Sequence, residues 1–120
     1  YSRGEIVVLT PPNNQTSDYI KRIVGLPGDI IKIYECKIYI SRGGNQYVID
    51  EYYLPEDLCT NAGSFLKEGR SLRLADDEYI VLGDNRGNST DSRVFGPVKY
   101  KSIIGRVIYR FWPPSRIGFM

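Results

Sequence analysis

Short runs of β-branched and aromatic residues recur along the chain, and residues that favour turns bound them. The run at 18–25 alternates, so that Tyr19, Lys21 and Ile23 share one face of a strand. This pattern is typical of strands, with little helix. The predicted strands are EIVVLT (5–10), DYIKRIVG (18–25), IIKIYECKIYI (30–40), QYVID (46–50), SLRLA (71–75), EYIVL (78–82) and GRVIYRFW (105–112).

The segments between these runs predict how the strands connect. LPGD (26–29) is a turn, because proline presets φ and glycine adopts a backbone conformation that other residues avoid. SRGGN (41–45) predicts a hairpin between the strands that flank it. Residues 51–70 are irregular, with a short helical turn expected near PEDLC (55–59). YKSII (100–104) is the other segment that a short helix fits.

Length and composition agree with one globular domain that is mainly β. The chain has 120 residues, of which 42% are hydrophobic and 25% charged, so it can bury a core and is not disordered. We expect a folded antiparallel sheet or partial barrel over residues 1–120, with a small inserted β excursion at about 35–75. No run of about 18 apolar residues occurs, so we expect no helix here to span a bilayer.

The charge is distributed unevenly along the chain. The net charge of +2 is too small to indicate binding to nucleic acid. After Asp91 the chain has no acidic residue and six basic ones, and Phe111, Trp112 and Phe119 add aromatic rings there. Two interpretations remain for this basic end: it faces a membrane surface, or it is the solvated end of a strand.

The absence of histidine restricts the chemistry that the chain can perform. Without it, a Ser-His-Asp triad and a histidine-ligated metal are both excluded within these residues. Two cysteines, Cys36 and Cys59, cannot build a zinc site alone, and they are compatible with one disulfide or with two free thiols. We therefore expect no metal and no cofactor.

A long polar segment, LGDNRGNSTDSRVFG (82–96), is the strongest candidate for a functional loop. A calcium loop does not fit, because Arg86 occupies a ligand position and Phe95 stands where a glutamate is required. A phosphate loop does not fit, since no Gly-Lys-Ser/Thr sequence follows its glycines. Two interpretations remain: a surface turn held by its own side chains, or a scaffold whose aspartates and arginines pair within the loop. In the second, Ser89 presents a hydroxyl to an amine.

Lys21 is the candidate amine. A solvated lysine on an edge strand is the ordinary interpretation of its position. The apolar residues around it also allow partial burial. Burial disfavours the charged ammonium and lowers the pKa of a lysine, which can then act as a general base.

Two long segments resemble signature motifs of the type I signal peptidases, a family of Ser-Lys serine proteases. They are YIKRIVGLPGD (19–29) and GDNRGNSTDSRVFG (83–96), in that order. RGEIVVL (3–9) and GRVIYRFWPPSRIG (105–118) are similar to the segments before and after them, and the match is loose only at about 35–75. The resemblance implies the mainly β signal peptidase fold and cleavage of signal peptides from exported preproteins.

The resemblance also assigns roles to individual residues. Lys21 matches the family's catalytic lysine, which is the general base. Ser89 matches the serine whose hydroxyl orients that lysine. A supporting network of ion pairs matches Arg22, Asp84, Arg86, Asp91 and Arg93. The strand that lines the substrate cleft matches Asp18, Tyr19 and Ile20. The partners implied are signal peptides and the membrane surface, with no nucleic acid, at the extracytoplasmic face of the cell membrane.

One departure from the family pattern concerns the nucleophile. The family's nucleophilic serine lies in a Ser-Met-x-Pro-Thr segment that follows a membrane anchor, and neither occurs in these residues. We therefore expect an N-terminally truncated chain that supplies the lysine and its scaffold and is inactive alone. The alternatives are a non-catalytic β-rich peptide-binding module and a Ser-Lys self-cleaving repressor-type domain.

Overall fold

The computed structural model describes residues 1–14 and 16–108, and it is built mainly from antiparallel strands. The predicted fold class is therefore confirmed. A single-turn helix, α1 (Ser92–Phe95), and a 3-10 turn (Tyr100–Ser102) are the helical elements of this part of the chain. The strands are β1 (Ile6–Leu9), β2 (Tyr19–Gly25), β3 (Ile30–Tyr34), β4 (Lys37–Arg42), β5 (Asn45–Val48), β6 (Leu72–Arg73), β7 (Glu78–Leu82), β8 (Val98–Lys99) and β9 (Ile103–Arg106).

Two sheets divide these strands. The main sheet has the strand order β8-β7-β2-β1-β9, and the smaller sheet has the order β5-β4-β3-β6. The smaller sheet and the irregular segment 49–71 are thus inserted between β2 and β7, which are neighbours in the main sheet. The excursion from the main sheet begins at Ile30, somewhat earlier than the predicted boundary at about 35.

Strand β2 lies at the centre of the main sheet, so Lys21 is not on an edge strand. Lys21 lies opposite Val7 of β1, and Arg22 lies opposite Leu82 of β7. The alternation predicted for this strand is also observed, since Ile23 and Val24 belong to different apolar clusters.

The two clusters form the core. The first joins the sheets, because it contains Val24, Ile80 and Leu82 of the main sheet together with Ile31 and Ile40 of the smaller one. The second packs on the main sheet with buried side chains of Val7, Leu9, Ile23, Tyr79, Val81, Val98 and Ile103. Burial of these side chains fixes the register of β2 and β7, because a slip of one residue would exchange the two faces.

The predicted strand at 30–40 is wrong in one respect: it is a hairpin of two strands. Glu35 and Cys36 form its turn with φ of 46° and 71°, a conformation that glycine or asparagine usually supplies. Because neither residue signals a turn, the break was not visible in the sequence. The hairpin predicted at 41–45 is confirmed, with Gly43 and Gly44 at φ of 59° and 83°.

Other predicted elements change in extent. The strand at 71–75 is limited to Leu72–Arg73. The short helical turn expected near 55–59 is a single turn, in which the N–H of Leu58 donates to the carbonyl oxygen of Pro55 at 3.1 Å. The last strand runs over Ile103–Arg106, so it begins before the predicted start at 105 and does not include 107 and 108. The rest of the predicted strand, 109–112, lies outside the described residues. Within residues 1–14 and 16–108, no helix is long and apolar enough to cross a membrane.

Candidate active site

Lys21 and Ser89 meet where the polar loop leaves the main sheet. Because β7 pairs with β2, the loop that begins at Gly83 emerges beside Lys21. The Lys21 Nζ atom donates a hydrogen bond of 2.9 Å to Ser89 Oγ. The structure thus brings together the two side chains to which the family resemblance assigned a common site.

Gly83 makes this contact possible because it has no side chain. A Cβ atom at this position would overlap Ser89 Oγ and would lie 3.3 Å from Lys21 Nζ. Every other residue type would therefore displace the hydroxyl, the amine or the backbone. Sequence reasoning did not single out Gly83, although its place as the first loop residue after a buried strand signalled a close approach.

The environment of Lys21 favours the neutral amine. Partial burial lowers the pKa of Lys21, and the positive charge of Arg93 lowers it further, while the negative charge of Asp91 raises it. The net direction is downward from the ordinary lysine value of 10.5. Tyr19 is on the same face of β2, and the centre of its ring lies 5.4 Å from Lys21 Nζ.

Asp91 is a fully buried carboxylate that organises the second half of the loop. Its Oδ2 accepts a hydrogen bond of 3.1 Å from the backbone N–H of Gly83. Its two oxygens also accept from Arg93 Nε at 2.9 Å and Nη2 at 2.8 Å. The backbone N–H of Arg93 donates to the same carboxylate, which caps the N-terminus of α1. Asp91 thus neutralises a buried arginine and holds the start of the loop.

Asp84 pairs with an arginine outside the loop. Arg22, next to Lys21 on β2, donates from Nε and Nη2 to the two carboxylate oxygens of Asp84 at 2.9 and 2.7 Å. The Arg22 guanidinium lies 3.8 Å from the centre of the Tyr53 ring. The prediction that aspartates and arginines pair within the loop is therefore wrong for Asp84.

The partner of Arg86 also lies outside the loop. Arg86 Nη1 donates to Glu51 Oε1 at 2.8 Å and to Thr60 Oγ1 at 2.9 Å, and Nη2 donates to Glu51 Oε2. Its Nε donates to the carbonyl oxygen of Gly83 at 2.7 Å. Sequence reasoning did not select the residues that contact these arginines, which are Glu51, Tyr53 and Thr60. The loop holds equal numbers of aspartates and arginines, so its composition did not require another partner.

The three residues expected to line a substrate cleft lie at the start of β2. Asp18 accepts a hydrogen bond of 3.2 Å from Thr10 Oγ1, and the Tyr19 ring packs 6.2 Å from that of Phe95. The Ile20 side chain is 45% exposed. Tyr19 and Ile20 are on the strand that carries Lys21, Asp18 directly precedes it, and substrate binding by the three stays a prediction. Among residues 1–14 and 16–108, no group of three or more potential metal ligands is placed to hold an ion.

Comparisons with known proteins give a consistent result. Residues 1–112 match the family model described as signal peptidase, peptidase S26. The chain is 37% identical over 123 residues to the probable signal peptidase I-2 of Synechocystis sp., covering 98% of this chain and 51% of that protein. It is 34% identical over 128 residues to signal peptidase IB of Staphylococcus aureus, covering 98% of this chain and 64% of that protein.

A solved structure supports the same grouping. The fold is similar to the crystal structure of a signal peptidase I from Enterococcus faecalis, with a TM-score of 0.71 and 26% identity, covering 90% of this chain and 97% of that one. The chain spans between about half and two thirds of the length of the two curated relatives above. From its two sheets, its lysine–serine contact and these matches, the chain belongs to the signal peptidase family, peptidase S26.

Proposed function

We propose that this chain forms the catalytic part of a signal peptidase that cleaves N-terminal signal peptides from exported preproteins, with Lys21 as the general base. The observation that carries the proposal is the partly buried Lys21 amine, which has a lowered pKa and contacts Ser89 at 2.9 Å. A neutral amine can accept a proton at a pH where an ordinary lysine is almost fully charged.

In the proposed mechanism, a serine outside these 120 residues attacks the peptide carbonyl while Lys21 accepts its proton. The peptide nitrogen then leaves with a proton returned by Lys21, and a water molecule activated by the same amine hydrolyses the acyl-enzyme. Ser89 accepts a hydrogen bond from Lys21 Nζ, so the lone pair of the neutral amine is not used in this contact and can accept a proton. Ser89 is therefore proposed to orient Lys21, and the arginine–carboxylate pairs are proposed to hold the loop that carries Ser89.

The test compares the complete protein that contains this chain with residues 1–120 alone. We expect the complete protein to cleave a fluorogenic signal-peptide substrate, and we expect no turnover from residues 1–120 because the nucleophile is supplied elsewhere. Equal turnover by both would place the nucleophile within these residues. Binding of the peptide by the complete protein without cleavage would contradict the proposal and support a non-catalytic peptide-binding module.

We also propose that the catalytic part works at the extracytoplasmic face of the cell membrane and contacts the lipid surface. The side chains of Ile104 and Ile108 are exposed, and the aromatic part of the basic end, Phe111, Trp112 and Phe119, lies outside the described residues. Vesicles with anionic lipid should co-sediment with the protein. Binding that is unchanged by Trp112→Ala combined with Arg116→Ala would contradict this part of the proposal.

A further inference from the structure

The segment 51–60 touches both arginines that flank the start of the active-site loop. Glu51 pairs with Arg86, and the ring of Tyr53 packs on the guanidinium of Arg22. We infer that Glu51 is a positioning residue of this site. Glu51 holds Arg86, Arg86 donates a hydrogen bond to the carbonyl oxygen of Gly83, and the side chain of Ser89 packs against Gly83. The inference rests on the proposed function, because it concerns the same site.

Arg86 depends on Glu51 for its charge balance. The Arg86 side chain is fully buried, and Glu51 is its carboxylate partner among the residues that the structure describes. Both guanidinium Nη atoms point to the two oxygens of that carboxylate. A buried arginine that loses its partner leaves an uncompensated charge, which is strongly unfavourable. Without Glu51, the guanidinium is expected to turn towards water and release its other partners.

One of those other partners is the peptide of Gly83. Its carbonyl oxygen accepts from Arg86 Nε at 2.7 Å, and its N–H donates to Asp91 at 3.1 Å. The Gly83 Cα carries no side chain and faces the Ser89 hydroxyl. Loss of the Arg86 contact would free one side of this peptide, and a displaced Gly83 would alter the position of Ser89.

Glu51 is itself fixed by the segment that contains it. Its Oε2 accepts a hydrogen bond of 2.8 Å from the Tyr53 hydroxyl. Burial, together with the hydrogen bond to Glu51, raises the pKa of Tyr53, so that the hydroxyl keeps the proton it donates. At the far end of the segment, Cys59 forms a disulfide with Cys36, and the N–H of Thr60 donates to the Cys36 carbonyl at 3.0 Å. The carboxylate is thus held in place by contacts that do not involve Arg86.

The experiment measures signal-peptide cleavage by three variants of the complete protein, below the Tm of each. Glu51→Gln removes the charge from the carboxylate, and Thr60→Val removes only the hydroxyl that accepts from Arg86. Asp29→Asn is the matched control, because Asp29 is another buried carboxylate paired with two arginines, but these are Arg3 and Arg42. We expect Glu51→Gln to lower kcat about 10-fold or more with KM unchanged, and Thr60→Val to lower kcat less.

The control separates positioning from stability, because Asp29→Asn should lower Tm while its kcat stays at the parental value. If Glu51→Gln does not fold, Thr60→Val decides the question. The inference would be overturned if the parental protein cleaves the substrate and the variants at Glu51 or Thr60 have a lower Tm but the parental kcat. The proposed function would still stand after that result. A parental protein without cleavage would instead overturn the proposed function.

Discussion

Arg3 Nη1 donates a hydrogen bond of 2.6 Å to the fully buried carboxylate of Asp29 and joins the segment before β1 to the turn after β2. Arg42, in the smaller sheet, donates to the other oxygen at 2.8 Å, and the N–H of Leu26 also donates at 2.8 Å. Burial alone would raise the pKa of Asp29, but these hydrogen bonds outweigh it, so the pKa lies below the ordinary value of 3.8. Asp29 therefore links the two sheets as an anion.

We expect this link to make the fold sensitive to acid. A carboxyl whose pKa is lower in the folded state stabilises the protein above its unfolded pKa, and that stability is lost as the pH falls through the folded pKa. Asp29→Asn should lower the free energy of unfolding by about 1.5–3 kcal/mol near neutral pH, because it removes hydrogen bonds to a charged group while the arginines left behind are partly exposed. It should also reduce the loss of stability between about pH 5 and pH 2. Urea denaturation of both proteins across this range is the measurement, and equal pH dependence would contradict the role given to Asp29.

Gly83→Ala should remove the contact between Lys21 and Ser89. The new Cβ would overlap the Ser89 hydroxyl, so the loop must move, at a cost of about 1–3 kcal/mol in stability. We expect the variant of the complete protein to lose signal-peptide cleavage. Gly87→Ala, in the same loop, is the control, because a Cβ there meets no atom within 4 Å. Cleavage at the parental rate by Gly83→Ala would show that the close approach is not required.

Lys21 should determine the pH dependence of activity. As a general base it must be neutral, so kcat/KM should rise with pH as the amine loses its proton. Because burial lowers the pKa of Lys21, this rise should be centred below the ordinary lysine value of 10.5. Lys21→Arg should be inactive at every pH, since a guanidinium stays protonated. Activity that does not change with pH, or an active Lys21→Arg variant, would exclude Lys21 as the base.

Ser89→Ala should lower kcat about 10-fold or more, because the amine loses the hydrogen bond that orients it. KM and Tm should change little, since the substitution removes one oxygen atom without adding bulk. Thr90→Ala removes the hydroxyl of the exposed neighbouring residue and should leave kcat unchanged. If an acylating inhibitor labelled the oxygen of Ser89, the assignment of an orienting role would be wrong.

The disulfide between Cys36 and Cys59 should contribute to stability. It connects the turn of the β3–β4 hairpin to the irregular segment across 23 positions of sequence. A cross-link of this span stabilises a fold by about 3 kcal/mol, chiefly by restricting the unfolded chain. We expect a reductant to lower Tm, and we expect the double variant Cys36→Ser with Cys59→Ser to be insensitive to it. An unchanged Tm under reducing conditions would contradict this expectation.

The sequence predicted the strands that bury alternating side chains but not the contacts between distant segments. The runs at β2 and β7 were located correctly because they are short, rich in β-branched and aromatic residues, and bounded by turn-forming residues. The central position of β2 depends on which strands pair with it, and strand pairing cannot be read from the local sequence. Glu35 and Cys36 form a turn without a turn-forming residue, since packing and the disulfide impose it.

The residues of the candidate site could likewise be predicted only where a local motif marks them. The segments around Lys21 and Ser89 were recognised from their motifs, and the structure brings them within hydrogen-bonding distance. Glu51 could not be selected, because it lies 35 residues from Arg86 in an irregular segment with several other carboxylates. Its role depends on the path of the chain through residues 49–71, which periodicity does not predict.

The separation of 68 positions between Lys21 and Ser89 also determines when the amine becomes reactive during synthesis. When β2 leaves the ribosome, its lysine is hydrated and protonated, because β7 and the loop after it have not yet been made. The β3–β4 hairpin can form early, since it closes over a few residues, whereas the pairing of β2 with β7 must close a much longer loop. Desolvation of Lys21 therefore comes with a long-range pairing of the main sheet and not with the formation of a local hairpin. Until that pairing forms, the nascent chain carries no activated base that could take a proton from a nucleophile.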